Sequence, residues 1–284
     1  SRFGSRLRGV RRQPPSRAPS SHVASPRMRA FLVAAALATA AGQAAGEKVQ
    51  LKAFVEAGCP FCRAFLSGPL KDTLASPGFS DIVDLDVSPF GNAYFITSGC
   101  GGTSQTYEPD VRKCWNKACG AGAQHRPQDC FKGEMVVQHG PAEGIANRYL
   151  ACAKRLTGYA SAKYMPFIGC LEGKWDRNIT EEQTWAGLAA VCAETGSLDQ
   201  LDPAALQACY ASHDGTEAII YEAEDTPEHD GVPWVLVDGA RLADESKVMD
   251  AICAAYMGPS KPAACSSVQQ TLVMEVAKTH VLTI

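Results

Sequence analysis

The chain has 284 residues of ordinary globular composition, with 46% hydrophobic content, enough for one large domain or two small ones. Its first 29 residues hold eight arginines and no acid. Setting those aside leaves 19 basic residues against 30 acidic ones, a balance that argues against a nucleic-acid partner. Twelve cysteines, most without a short metal-ligand spacing to a neighbour, point to an oxidising compartment.

From Met28 the text reads "MRAFLVAAALATAAGQAAGEK": a basic start, an apolar run from Phe31 to Ala41, and small residues from Gly42 to Gly46 where a signal peptidase cuts. This is the pattern of a secretory signal peptide, too short to span a bilayer comfortably, so no stable membrane insertion is expected once it is removed. Residues 1–27 read as upstream sequence before a start at Met28. An Arg- and Ser-rich leader without acids also has the composition of an organelle transit peptide, which the cysteine count opposes. Residues 1–46 are therefore set aside as a leader.

Lys48 to Glu56, "KVQLKAFVE", alternates and then runs apolar, as a buried strand does. After the Ala57-Gly58 break comes "CPFC", and Cys62 to Leu66 continues as a helix with Phe61 and Phe65 four apart; Gly68-Pro69 interrupts it before Leu70 and Leu74. Asp81 to Val87, "DIVDLDV", is a second strand. Ser98 to Gly133 is Gly-, Cys- and polar-rich with little periodicity, and reads as a disulfide-held insertion loop. Helical pattern resumes from Pro141 to Leu156, with Ile145, Tyr149, Cys152 and Leu156 on one face. A further helix starts at Thr180, spaced from Gln183 as in a capping box, and turns Trp185, Leu188 and Cys192 inward. Asp202-Pro203 caps and opens another, carrying Leu206, Cys209 and Tyr210. In "GVPWVLVDGARLAD", Pro233 opens an apolar strand, Asp238-Gly239 turns it back near Arg241-Leu242, and a helix follows from about Asp244 to Tyr256, stopped by Gly258-Pro259.

Strand, CxxC, helix, strand is the opening of a thioredoxin-like fold. The chemistry has a physical basis: Cys59, at a helix N-terminus, meets unpaired amides and the macrodipole, which favour its thiolate and make it the attacking nucleophile. Cys62, one turn on, is the resolving cysteine. A zinc site would need a second pair at ligand spacing, and no other C-x2-C occurs; a structural staple closing so short a loop constrains little. Metal is therefore not expected. In the thioredoxin-like context Val232 and Pro233 line a substrate groove facing the two sulfurs, whereas a proline merely opening an edge strand is the plainer reading.

Three segments in order carry a specific resemblance over roughly residues 48 to 265. "CPFCRAFL", "SPFGNA" (Ser88 to Ala93) and "VPWVLVDG" resemble the gamma-interferon-inducible lysosomal thiol reductase family, and Cys170, Cys192, Cys209, Cys253 and Cys265 fall in its cysteine order. The family signature C-Q-H-G-x2-E-C-x2-N-x4-C appears as "VQHGPAEGIANRYLAC": Gln138, His139, Gly140, Glu143, Asn147 and Cys152 match, while Val137 and Gly144 replace two cysteines. Losing both together suggests that these two normally pair with each other. The insertion adds Cys100, Cys114, Cys119 and Cys130, an even number that suits two further bridges.

The resemblance implies an α/β thioredoxin-like fold with an inserted helical, disulfide-rich subdomain. The expected limits are a leader over 1–46, a reductase domain over 47–265 with its insertion at about 98–225, and a tail over 266–284. It implies reduction of protein disulfides in an acidic endocytic, lysosomal or secreted setting, with an external small thiol as reductant and no bound cofactor. Direction in thiol exchange is set by potential, so a secretory-pathway oxidase or isomerase uses the same parts, and a disulfide-stabilised binding protein with an inert CxxC is the non-enzymatic alternative. Removing the redox pair leaves ten cysteines for five bridges. The expected pairings are Cys192 with Cys209 across successive helices, Cys253 with Cys265, and Cys152 with Cys170, although spacing does not fix connectivity. His139 is either a proton shuttle for the CxxC or a histidine fixing a loop or helix cap. Asn178-Ile179-Thr180 is a glycosylation sequon on a polar turn.

Overall fold

The computed structural model describes residues 48–195 and 201–266. The expectations for the leader and for the tail beyond Ser266 lie outside them. The chain opens with β1 (Val49–Val55), α1 (Pro60–Ser67), α2 (Pro69–Ala75), the short α3 (Phe79–Ile82) and β2 (Val83–Pro89), and β2 lies parallel to β1 in the register Val49 to Val83 through Val55 to Pro89. The two strands share one burial pattern, with apolar side chains inward along both, as a parallel pair covered by helices requires.

The long excursion from β2 holds β3 (Tyr94–Phe95), α4 (Pro109–Cys119), β4 (Met135–Val136), α5 (Pro141–Leu156), α6 (Ser161–Lys174), α7 (Glu182–Thr195), α8 (Pro203–Ala211) and α9 (His213–Asp225). The chain then returns through β5 (Trp234–Val237) and β6 (Ala240–Arg241). A 3-10 turn over Glu245–Lys247 leads into α10 (Val248–Ala255). The sheet order is β2-β1-β5-β6, with β5 antiparallel to β1 and β6 antiparallel to β5. A βαβ half joined to a ββα half in this order is the thioredoxin-like arrangement. Among the described residues no helix is long and apolar enough to cross a membrane.

The excursion corrects two expectations. Ser98 to Gly133 is not all loop: α4 crosses it, held at its middle by Cys100–Cys114 and at its C-terminal end by Cys119–Cys130. Trp115, fully buried, meets Phe90, Phe95 and Phe131 at centroid separations of 5.4 to 6.0 Å and donates from Nε1 to the Cys130 carbonyl at 2.9 Å. Tertiary anchoring of this kind holds a helix that weak periodicity does not announce.

The bridges of the helical part are Cys152–Cys209 and Cys170–Cys192, in place of the expected Cys192–Cys209 and Cys152–Cys170; Cys253–Cys265 is as expected. Cys170 and Cys192 join the successive helices α6 and α7, whereas Cys152 and Cys209 join α5 to α8, where Tyr149 and Tyr210 stack at 4.1 Å beside their cysteines. Two facing details also differ: Phe61 is 74% exposed although Phe65 is buried, and Leu156 points outward at the end of α5. The helix expected from Thr180 begins at Glu182. Lys154, fully buried on α5, ties the insertion to the sheet through Glu222 of α9 and Asp86 of β2, each at 2.7 Å.

Candidate active site

Cys59 caps α1. Its backbone is extended, its Sγ accepts from the Cys62 amide at 3.4 Å, and Pro60 occupies the first helical position, where a missing N–H costs nothing. Gly58 makes this approach possible: its φ of +76° is the left-handed region, and a Cβ there would fall 2.1 Å from the Trp175 ring. Of twelve cysteines, ten are bridged, and the two left free are Cys59 and Cys62.

The two sulfurs stand in opposite states. Cys59 is lowered from the usual thiol range to about 5, first by the hydrogen bond from the Cys62 thiol, then by His139 and the Cys62 amide, against burial and the Glu56 carboxylate. Burial and the adjacent Cys59 push the Cys62 thiol well up. His139 is raised to about 10, first by its hydrogen bond to Cys59 and then by Glu56. At neutral pH the arrangement is a thiolate beside an imidazolium.

Behind Cys59 lies a polar network that joins the separate motifs. Glu56, fully buried at the end of β1, accepts from the Asn92 amide at 2.8 Å and stands 3.0 Å from His139 Nε2. Gly91, at φ +57°, lets the "SPFGNA" turn close on Glu56, since a Cβ there would lie 2.7 Å from the Glu56 Cβ. The Asn92 side chain donates to Gln138 Oε1 at 2.7 Å, and its own Oδ1 lies 3.1 Å from His229 Nε2. At the start of α5, Glu143 accepts from the His139 amide at 2.5 Å, and Asn147 Oδ1 accepts from the Ala57 amide at 2.8 Å. Burial and the Glu56 charge push the Glu143 carboxyl well above the usual carboxylate range. From α6, Glu172 accepts from the Gly58 amide at 3.1 Å, with Arg63 3.9 Å away. Burial raises Glu172 to about 7.

The structure therefore brings Cys59, Cys62, His139 and Val232 together. The Val232 carbonyl is 3.9 Å from Cys59 Sγ, and the Val232–Pro233 peptide is cis. The nitrogen of His139, the sulfur of Cys59 and an oxygen of Glu56 lie within 4.8 Å of one another. Asn178 is apart from this network: exposed on the turn between α6 and α7, it donates to Asp176 Oδ1 at 2.9 Å. Sequence reasoning missed Glu56, Glu172 and His229. The signal for Glu56 was present, an acid ending an apolar strand directly before the CxxC; Glu172 and His229 sit in segments whose pattern points nowhere.

At Val137 and Gly144 the structure shows what replaces the missing signature cysteines. A Cβ on Gly144 would lie 3.6 Å from Val137 Cγ1 and 3.5 Å from the Met135 methyl. The two positions face each other, and apolar contact fills the space between them.

The family model described as "Gamma interferon inducible lysosomal thiol reductase (GILT)" matches residues 50–132, a span that includes both free cysteines and ends before Gln138. Among curated proteins, the chain is 26% identical over 224 residues to the mouse (Mus musculus) "Gamma-interferon-inducible lysosomal thiol reductase", covering 78% of this chain and 73% of that one. It is 23% identical over 228 residues to "GILT-like protein C02D5.2" of Caenorhabditis elegans, covering 79% of this chain. It is 26% identical over 146 residues to "GILT-like protein CBG03282" of Caenorhabditis briggsae, covering 48% of this chain. The alignments span 57% and 60% of the two nematode proteins. Among solved structures, "BdbD from Bacillus subtilis (oxidised)" aligns with a TM-score of 0.42 at 13% identity, over 72% of this chain and 83% of that one.

Proposed function

We propose, from the support that the matched family model and the curated relatives give to the gamma-interferon-inducible lysosomal thiol reductase family, that this chain is a thiol–disulfide oxidoreductase that reduces protein disulfides. One observation carries the reading: in a chain whose other ten cysteines are all bridged, the CxxC at the start of α1 is free, with an ionised first sulfur and a protonated second one.

The steps follow from that asymmetry. The Cys59 thiolate attacks one sulfur of a substrate disulfide, forming a Cys59–substrate disulfide and releasing the other sulfur as a thiolate that takes a proton. Cys62 then loses its proton and attacks Cys59 Sγ, closing the Cys59–Cys62 disulfide and releasing the second substrate thiol. An external small thiol reduces the pair again, and the exchange itself needs no metal or bound cofactor. The Val232 carbonyl and Pro233, beside Cys59, form the edge along which an extended substrate segment pairs.

The proposed setting is the secretory pathway, in an acidic endocytic or lysosomal compartment or outside the cell. Five bridges fit an oxidising compartment. A Cys59 that titrates near 5 is about half ionised at that pH, where an ordinary thiol is almost wholly protonated. Insulin-disulfide reduction with a small-thiol reductant, run at acidic and neutral pH, tests the reading. Activity is expected at both and absent in Cys59→Ser. Activity retained by that variant refutes the assigned nucleophile.

A further inference from the structure

The chain spacing of the cysteines speaks against zinc, but the fold gathers a donor set that the spacing does not show. Three chemically different donors from two distant segments converge: Glu56 from the end of β1, Cys59 from the start of α1, and His139 from the turn before α5. Their ligand atoms lie within 4.8 Å of one another, and His139 Nε2 and Glu56 Oε1 are 3.0 Å apart. A tetrahedral zinc ion at ordinary bond lengths holds its sulfur, nitrogen and oxygen donors about 3.3–3.6 Å apart. The observed spacing thus closes on a metal by side-chain adjustments of at most about 1.5 Å in any donor separation.

The surroundings suit an ion as well. Glu56 is fully buried and Cys59 nearly so, so a dication between them offsets two anionic donors where water does not. The donors are already oriented from behind: the Asn92 amide holds the Glu56 carboxylate, and Glu143 holds the His139 backbone. Cys62 is fully buried, while the His139 side chain keeps 17% exposure, so the donor set reaches solvent at His139. On binding, the metal displaces the His139 proton to solvent, and the resulting thiolate, imidazole and carboxylate form a set that selects zinc or cadmium over magnesium or calcium.

We propose that Glu56, Cys59 and His139 form a binding site for a thiophilic divalent cation such as zinc, which occupies the attacking sulfur and holds the reduced chain idle until the metal is withdrawn. This is a regulatory site rather than part of the exchange chemistry. That the metal idles the chain rests on the reductase reading, whereas binding itself is read as bound metal and not as turnover, so the two fail separately.

The experiment is equilibrium dialysis of the full reduced chain against zinc, paired with cadmium titration followed by the thiolate-to-cadmium charge-transfer band. One equivalent is expected on the reduced wild type. None is expected on the oxidised wild type, which needs no substitution, or on Cys59→Ser. His139→Ala and Glu56→Gln should each weaken binding by about tenfold or more through the lost ligand, while Cys62→Ser should keep it within a few-fold. A cadmium-113 spectrum of the wild type gives the same answer without variants, one sulfur with nitrogen and oxygen against two sulfurs. No binding to the reduced wild type overturns the proposal. So does binding that Cys62→Ser abolishes and His139→Ala leaves unchanged, or a two-sulfur cadmium signal, since either means chelation by the dithiol alone.

Discussion

Cys59 is held between opposing influences, and the balance rests on a few named contacts. The Cys62 thiol, the Cys62 amide and His139 stabilise its negative charge; burial and the Glu56 carboxylate oppose it. Of the stabilising groups, His139 is the one that can be removed without altering the CxxC itself. His139→Ala should move the Cys59 titration upward from about 5. Once its midpoint lies above the working pH, each further unit by which the midpoint rises lowers the thiolate fraction about tenfold at that pH. Iodoacetamide alkylation of Cys59 against pH, with a chelator present, reads this directly. An unchanged profile would mean that His139 only fixes its loop, the plainer of the two roles its sequence suggests.

The same scale shows why part of the site was legible and part was not. Cys59, Cys62 and His139 stand in local patterns with chemical meaning, and Val232 precedes a proline in a recognisable strand opening. Glu172 has no such context. It acts only because α6 places it against the Gly58 amide, 114 positions earlier in the chain. Asn92 lies inside a legible segment, yet its work, bridging Glu56 to Gln138 and His229, depends wholly on three-dimensional closure.

At the scale of elements, the start of α5 joins the insertion to the redox helix. Its first turns supply Glu143 and Asn147, which fix the His139 loop and the Ala57 amide. The family signature has cysteines at positions 137 and 144; here Val137 packs on Gly144 instead. Because a Cβ on Gly144 falls 3.6 Å from a Val137 methyl, the paired substitutions Val137→Cys and Gly144→Cys should bridge without moving the backbone. For so short a loop the gain is about 2 kcal/mol, readable as a higher thermal midpoint with no free thiol at either position. Failure to oxidise, or a lower midpoint, would mean that the two positions do not face each other as described.

Element legibility follows local order. β1, β2, α5, α8 and the β5-β6 hairpin announce themselves by alternation, caps or turns. α6 does not, since Pro166, Gly169 and Gly173 read as punctuation, while burial of Tyr164, Phe167, Ile168 and Leu171 keeps it helical. The bridges elude the sequence for a related reason. Pairing between successive helices holds for α6 and α7, but chain order does not say which successive pair is joined, and the bridge from α5 to α8 depends on a tertiary contact.

Over the whole molecule, the buried carboxyls bias stability towards acid. Glu172 titrates near 7 in the folded chain against about 4.5 for an ordinary glutamate, so between these values the folded state holds a proton that the unfolded state has released. The contribution is fully present below about 4.5 and is lost as pH rises through about 7. Glu143, pushed well up by burial, has the same sign. Reduced Cys59 has the opposite sign, its lowered value favouring the folded state increasingly above about 5, and oxidising the pair removes it. In urea unfolding of the oxidised chain, Glu172→Gln should gain on the wild type by roughly 3 kcal/mol between pH 4.5 and 8. A gap that does not change with pH would show that Glu172 is ionised throughout.

The account as a whole turns on which sulfur attacks. Cys62→Ser keeps the nucleophile and removes the group that resolves it, so incubation with a denatured disulfide-bonded protein should accumulate a mixed disulfide through Cys59 that dithiothreitol releases. Cys59→Ser should accumulate none. No adduct on Cys62→Ser, or an equal adduct on Cys59→Ser, would contradict the division of labour between the two cysteines.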